Sequence, residues 1–158
     1  MKLKFLCANH RAWLSRQPDQ AVHRCANSFE TGWHLMQQAN WQEALPHLGC
    51  AYDTAEILMT TRVIAPARAV TWFLRSLAGL AQALEKLERT DDCIEVYQAA
   101  IDRLKNEATQ NIPPELQASI DCHITRLHRE RRRMHSCGYE EIRKHTPVEW
   151  KQKEIVFH

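Results

Sequence analysis

Apolar residues return every three or four positions along most of the chain, the period of an amphipathic helix. Val22, Cys25, Ala26, Phe29, Trp33 and Met36 share one face of a first long helix, predicted from Pro18 to about Gln38. Trp41, Ala44, Leu45, Leu48, Ala51 and Tyr52 begin a second, which continues through Ala55, Leu58 and Met59 to about Arg62. Ala39-Asn40 predicts the tight turn between them. Val70, Phe73, Leu74, Leu77, Leu80, Ala81, Leu84 and Leu87 form the widest stripe, on a third helix opened by Pro66. Ile94, Tyr97, Ile101 and Leu104 mark a fourth helix, and Leu116, Ile120, Ile124, Leu127 and Met134 a fifth. No stretch alternates apolar and polar residues long enough for a sheet, so the predicted fold class is all-α.

The boundaries follow from local chemistry. Pro18 suits a first helical position, and Asp19 beside it complements the positive end of the helix dipole. Asn40 with Glu43 predicts a capping box for the second helix. Pro46 conflicts with that start, because a proline in the second turn opposes a carbonyl four residues back; either a kink or a later start is expected. Thr90-Asp91-Asp92 predicts a hydroxyl cap followed by two acids in the first turn. The run Asn111-Ile112-Pro113-Pro114-Glu115 is the clearest break, and Gly138 after Cys137 predicts a C-terminal cap. Gly32, inside the first helix, predicts close approach of another helix. Residues 1–16 are expected to form a short helix or an arm. Residues 139–158, with Trp150 and Ile155-Val156-Phe157, are expected to form a short helix or a docked tail.

Composition narrows the class. The chain has 158 residues, enough for one domain with a real core, and its 4 glycines and 6 prolines fall at plausible helix ends. With 21 basic and 19 acidic residues the net charge is +2, which gives no global case for binding nucleic acid. The 6 cysteines are scattered without a C-x-x-C pair, and most are expected on apolar helix faces as free thiols. The apolar run Phe5-Leu6-Cys7-Ala8 is too short for a signal peptide, and Pro66, Arg68 and Arg75 break the stretch from Val63 to Leu84. The expected location is the cytoplasm, with no membrane partner.

Motifs for catalysis are lacking: no phosphate loop, no G-x-S-x-G, no H-E-x-x-H. Cys122, His123, His128, His135 and Cys137 are the densest group of metal-ligating types. On one helix positions 122, 123 and 128 point apart, whereas a tetrahedral site needs convergence. The expectation is a protein that is not an enzyme and uses no cofactor or metal. Five arginines fall between Arg126 and Arg133. Arg126, Arg129 and Arg133 share a face by their spacing, a candidate surface for nucleic acid or another polyanion.

Two segments resemble the tetratricopeptide repeat family. Its helix pairs carry small residues at three key positions with large residues between. Gly32, Ala44 and Ala51 hold these places in the first segment, with Trp41 and Leu48. Ala81, Cys93 and Ala100 hold them in the second, with Leu77, Leu80, Leu84 and Tyr97. The family's period is 34 residues, whereas Ala44 and Cys93 lie 49 positions apart. The resemblance implies a short α-solenoid: an arm at 1–17, two antiparallel hairpins over 18–110, a capping helix over 113–137 and a tail at 139–158. It also implies a groove lined by the first helices of the hairpins. Phe29, Trp33, Met36 and Gln37 would form its aromatic end, and Arg75, Gln82, Glu85 and Lys86 its charged end. The function implied is a protein–protein interaction module, an adaptor, chaperone or regulator holding a peptide or partner helix. Its alternatives are the polyanion-binding helix and self-association as a homodimer.

Overall fold

A computed structural model describes residues 3–145, with side chains described as far as residue 137. All regular structure among them is helical: α1 (Ala8–Arg16), α2 (Pro18–Gln37), α3 (Trp41–Thr61), α4 (Pro66–Lys86), α5 (Thr90–Ala108) and α6 (Pro114–His145). The fold is all-α, as the periodicity predicts. Pro18 and Pro66 stand in the first turns of α2 and α4, where a missing N–H costs no hydrogen bond. The expectations for Trp150 and Ile155-Val156-Phe157 lie outside the described residues.

The helices form antiparallel hairpins stacked side by side. α2 pairs with α3, α3 also packs along α4, and α5 pairs with α6. The centre of this packing is Leu48 of α3, which is fully buried. A Cβ added at Gly32 of α2 would lie 2.7 Å from Leu48 Cγ, and one added at Gly79 of α4 would lie 2.9 Å from Leu48 Cδ2. Both neighbouring helices thus present bare backbone to one leucine. Ala44, Ala51 and Ala55 continue the narrow face of α3, all fully buried.

The two hairpins turn alike. Ala39 and Glu88 have φ of 58° and 57°, the left-handed region. Asn40 N–H donates to Leu35 O at 2.9 Å, and Arg89 N–H donates to Leu84 O at 2.9 Å. Each of these pairs keeps the 49-residue offset of Ala44 and Cys93.

Several boundaries differ from expectation. Asn40 stands at the N-cap position of α3, but its side chain makes no capping bond. Thr90 is the first residue of α5, not its cap; Arg89 precedes it and its Nε donates to Asp92 Oδ2 at 2.6 Å. In both hairpins the tight turn leaves the chain in a dihedral that does not aim a side chain at the free amides. α3 starts at Trp41 and runs on through Pro46. That proline is exposed, and the carbonyl it leaves unbonded belongs to Gln42 in the exposed first turn. Gly138 does not end α6, which continues to His145. Of the cysteines, Cys25 and Cys93 are buried and Cys50 is half-buried; Cys7, Cys122 and Cys137 are exposed, against the expectation that most pack inward, and all six are free thiols.

The N-terminal segment is an ordered part of the body. Phe5 N–H and Leu6 N–H both donate to Asp53 Oδ2, at 2.8 and 2.9 Å. Asp53 is buried, and Arg11 of α1 closes over it at 3.5 Å while also reaching Glu56 at 3.3 Å. The Phe5 ring fills the space above Gly49, where a Cβ would come within 2.1 Å of it. A second buried carboxylate, Glu107 of α5, binds Arg103 at 3.1 Å and Arg62 from the end of α3. Each buried charge therefore has its partners, which is the condition under which one is tolerated.

Two substitutions test this packing. Gly32→Ala gains about 1 kcal/mol of helix propensity, but the clash with Leu48 costs about 1–3 kcal/mol as an overpacked core. A net loss of stability is expected in urea unfolding. Gly49→Ala should displace Phe5 while leaving the hairpins intact. Hydrogen exchange is then expected to accelerate at the Phe5 and Leu6 amides and to stay slow in α3 and α4.

Candidate functional site

α2 packs on α4, and α4 faces α6 across a cleft, so these three helices form one layer of the stack. The expected groove residues fall on this layer and divide into three groups. Phe29 is buried at 8% exposure and Met36 at 6%, whereas Trp33 is 45% exposed. The Phe29 and Trp33 rings stack with centroids 6.1 Å apart, and Trp72 of α4 meets Phe29 edge-on at 5.9 Å. Arg75 completes the cluster: its guanidinium lies 4.9 Å from the Phe29 centroid and 5.4 Å from that of Trp72. Phe29 and Met36 are thus core, and the aromatic surface open to a partner is Trp33 with half-buried Trp72. Gln37 is exposed at the end of α2. Lys86 lies over the Trp41 ring at 5.8 Å, at the start of α3, and its charge also bears on Glu85.

Gln82 and Glu85 reach a cleft of about 260 Å³ between α4 and α6. Its apolar floor includes Leu74, Leu77 and Leu127, with Tyr97 of α5 beneath, and His123, Arg126 and Glu130 of α6 form the facing wall. Arg133 closes one end. It donates to both oxygens of Glu85, at 2.9 and 3.2 Å, and through Nε to Glu130 at 2.9 Å. The bond from Arg133 holds the Glu85 carboxyl below its usual range, and the two carboxylates hold the Arg133 pKa up. Burial and the nearby Arg126 charge lower the pKa of His123. Burial pushes the Cys93 thiol, behind this wall, up to about 12. That thiol donates to Ala81 O at 3.7 Å, as a small packing residue does.

The basic face drawn from spacing is divided by this arrangement. Arg126 lines the cleft, Arg133 is committed to two carboxylates, and Arg129 is exposed between them. The three do not act as one free cationic surface, because α4 supplies Glu85 to neutralise Arg133. Sequence reasoning missed His123, Leu127, Glu130 and Trp72. Their signals were present: His123, Arg126 and Glu130 recur at helical spacing, and Trp72 stands one turn before Arg75.

No group of three or more metal-ligating side chains converges among the described residues. No helix among them is long and apolar enough to cross a membrane. Comparison with protein-family models, with curated proteins and with solved structures gave no match to this chain.

The Glu85–Arg133 pair makes a pH prediction. A carboxyl lowered in the folded state stabilises above its ordinary value of about 4.5 and loses that contribution as pH falls through the lower folded value. Both side chains are 41–45% exposed, so the effect is expected to be below about 1 kcal/mol. Glu85→Gln should lower stability slightly at pH 7, and the difference from wild type should shrink as pH falls below about 4.5, measured by thermal melting across pH.

Proposed function

We propose that the protein is a non-enzymatic protein–protein interaction module that binds a peptide or partner helix along the α2–α4–α6 layer. The observation that carries this reading is the cleft between α4 and α6, lined by Leu74, Gln82 and Arg126 among others. α2 and α4 pack on each other, but α4 and α6 stand apart with Arg133 bridging the gap. The cleft offers an apolar floor with open donors at Gln82 and Arg126, the composition of a site that grips an apolar side chain and orients a polar neighbour. The hairpin pairing and its small-residue seams support a tetratricopeptide-like ancestry for the scaffold. An adaptor, chaperone or regulatory role in the cytoplasm is the setting such a module suits. Fold by itself does not fix the role.

A photo-crosslinking residue at Gln82 or Trp33 tests this reading in cells. The partner is expected to be trapped from those positions and not from Thr60, which is exposed on α3. Equal trapping at all three positions would remove the assignment of the face. Arg126→Gln is expected to weaken the captured complex about tenfold, as loss of a charged hydrogen bond does, with an unchanged melting temperature.

A further inference from the structure

The buried stripe of α6, Ile120, Leu127 and Met134, divides the helix into two flanks. One flank walls the cleft. The other carries His128, Arg131, Arg132 and His135 at i, i+3, i+4 and i+7, a continuous face about 10 Å long. It borders α5, which brings Lys105 to the same place: the charges of Arg131, Lys105 and Arg132 all bear on His128. These cations differ from Arg133. Among the described residues Arg131, Arg132 and Lys105 have no carboxylate within ion-pair distance. Asp102, the one acid acting on His128, accepts a bond from Gln98 at 2.9 Å. Arg131 Nε is shielded from solvent and has no acceptor, an arrangement that costs free energy until an acceptor arrives.

We infer that Arg131, Arg132, Lys105 and His128 form a binding site for a small molecule carrying two adjacent phosphoryl groups. Guanidinium groups bind phosphate oxygens in pairs, and a lysine adds a point charge beside them. The face is compact and holds no aromatic ring on which a base would stack, so it fits a diphosphate better than a nucleic acid strand. Burial and the three cations hold the His128 pKa below the ordinary histidine range. A bound anion offsets that repulsion and favours the imidazolium, so binding takes up a proton. The groups facing His128 are Lys105 and Asp102 from α5 and Arg131 and Arg132 from α6. Binding is therefore expected to raise the His128 pKa.

Calorimetric titration of the full chain with pyrophosphate, at low and moderate salt, tests the site. NMR titration of the histidine ring signals reports where binding occurs. Saturable binding that weakens with salt and raises the His128 pKa is expected. Lys105→Gln and Arg131→Gln should each weaken it by about tenfold, whereas Arg126→Gln, in the cleft, should change it by less than about twofold. Circular dichroism confirms that each variant folds. Phosphatidylcholine vesicles containing a bisphosphorylated inositol lipid distinguish a membrane headgroup from a free diphosphate as the source. The proposal is overturned by absence of saturable binding at low salt, by equal affinity for orthophosphate, by equal loss in Arg126→Gln, or by far tighter binding of a single-stranded RNA oligonucleotide.

Discussion

Leu48 sets the distance between helices in the first half of this molecule. Its side chain touches backbone on two sides, at Gly32 and Gly79, because neither residue has a Cβ to hold the helices apart. α3 can therefore lie along α2 and α4 at once. That fixed spacing brings the Trp72 and Arg75 side chains onto Phe29, so the aromatic cluster follows from one leucine's fit. The close packing also explains why Met36 is core: its sulfur lies 3.7 Å from the position a Cβ would take on Gly79.

The second half is held differently. α5 and α6 pair closely, but α4 and α6 are joined across their gap by the fork of Arg133 on Glu85. A polar bridge between exposed groups sets position at little free-energy gain. It leaves a recess over half-buried Leu74 and exposed Gln82 that a leucine seam would close. Rigid packing in one hairpin and an open seam beside the other give the α2–α4–α6 layer both a firm platform and a recess. The opposite flank of α6 is free to carry its own chemistry because the buried stripe insulates it from the cleft.

Helix positions were legible in the sequence because they depend on local periodicity, and the stripes of Val70–Leu87 and Ile94–Leu104 became α4 and α5. Caps were less legible. Asn40 and Thr90 have the right chemistry, yet the left-handed residue before each N-cap, Ala39 or Glu88, controls the approach of the chain. The docked arm was illegible, since Asp53 meets Phe5 and Leu6 across 47–48 residues of chain. The site was half legible. Gln82, Glu85 and Arg126 carry the right groups, but their meeting depends on how α6 lies against α4. Phe29 and Trp33 belong to one apolar stripe, and only the place where α4 crosses it decides which ring is covered.

The paired turns carry one more implication. Alanine and glutamate have nothing in common as turn formers, and neither favours the left-handed region, where a non-glycine residue pays about 1–2 kcal/mol. Both nonetheless occupy it at matching places in their hairpins. The conformation is thus imposed by the helices that the turn joins, acting as a mould that shapes whatever residue lies between them. The two turns share a backbone geometry although their residues differ.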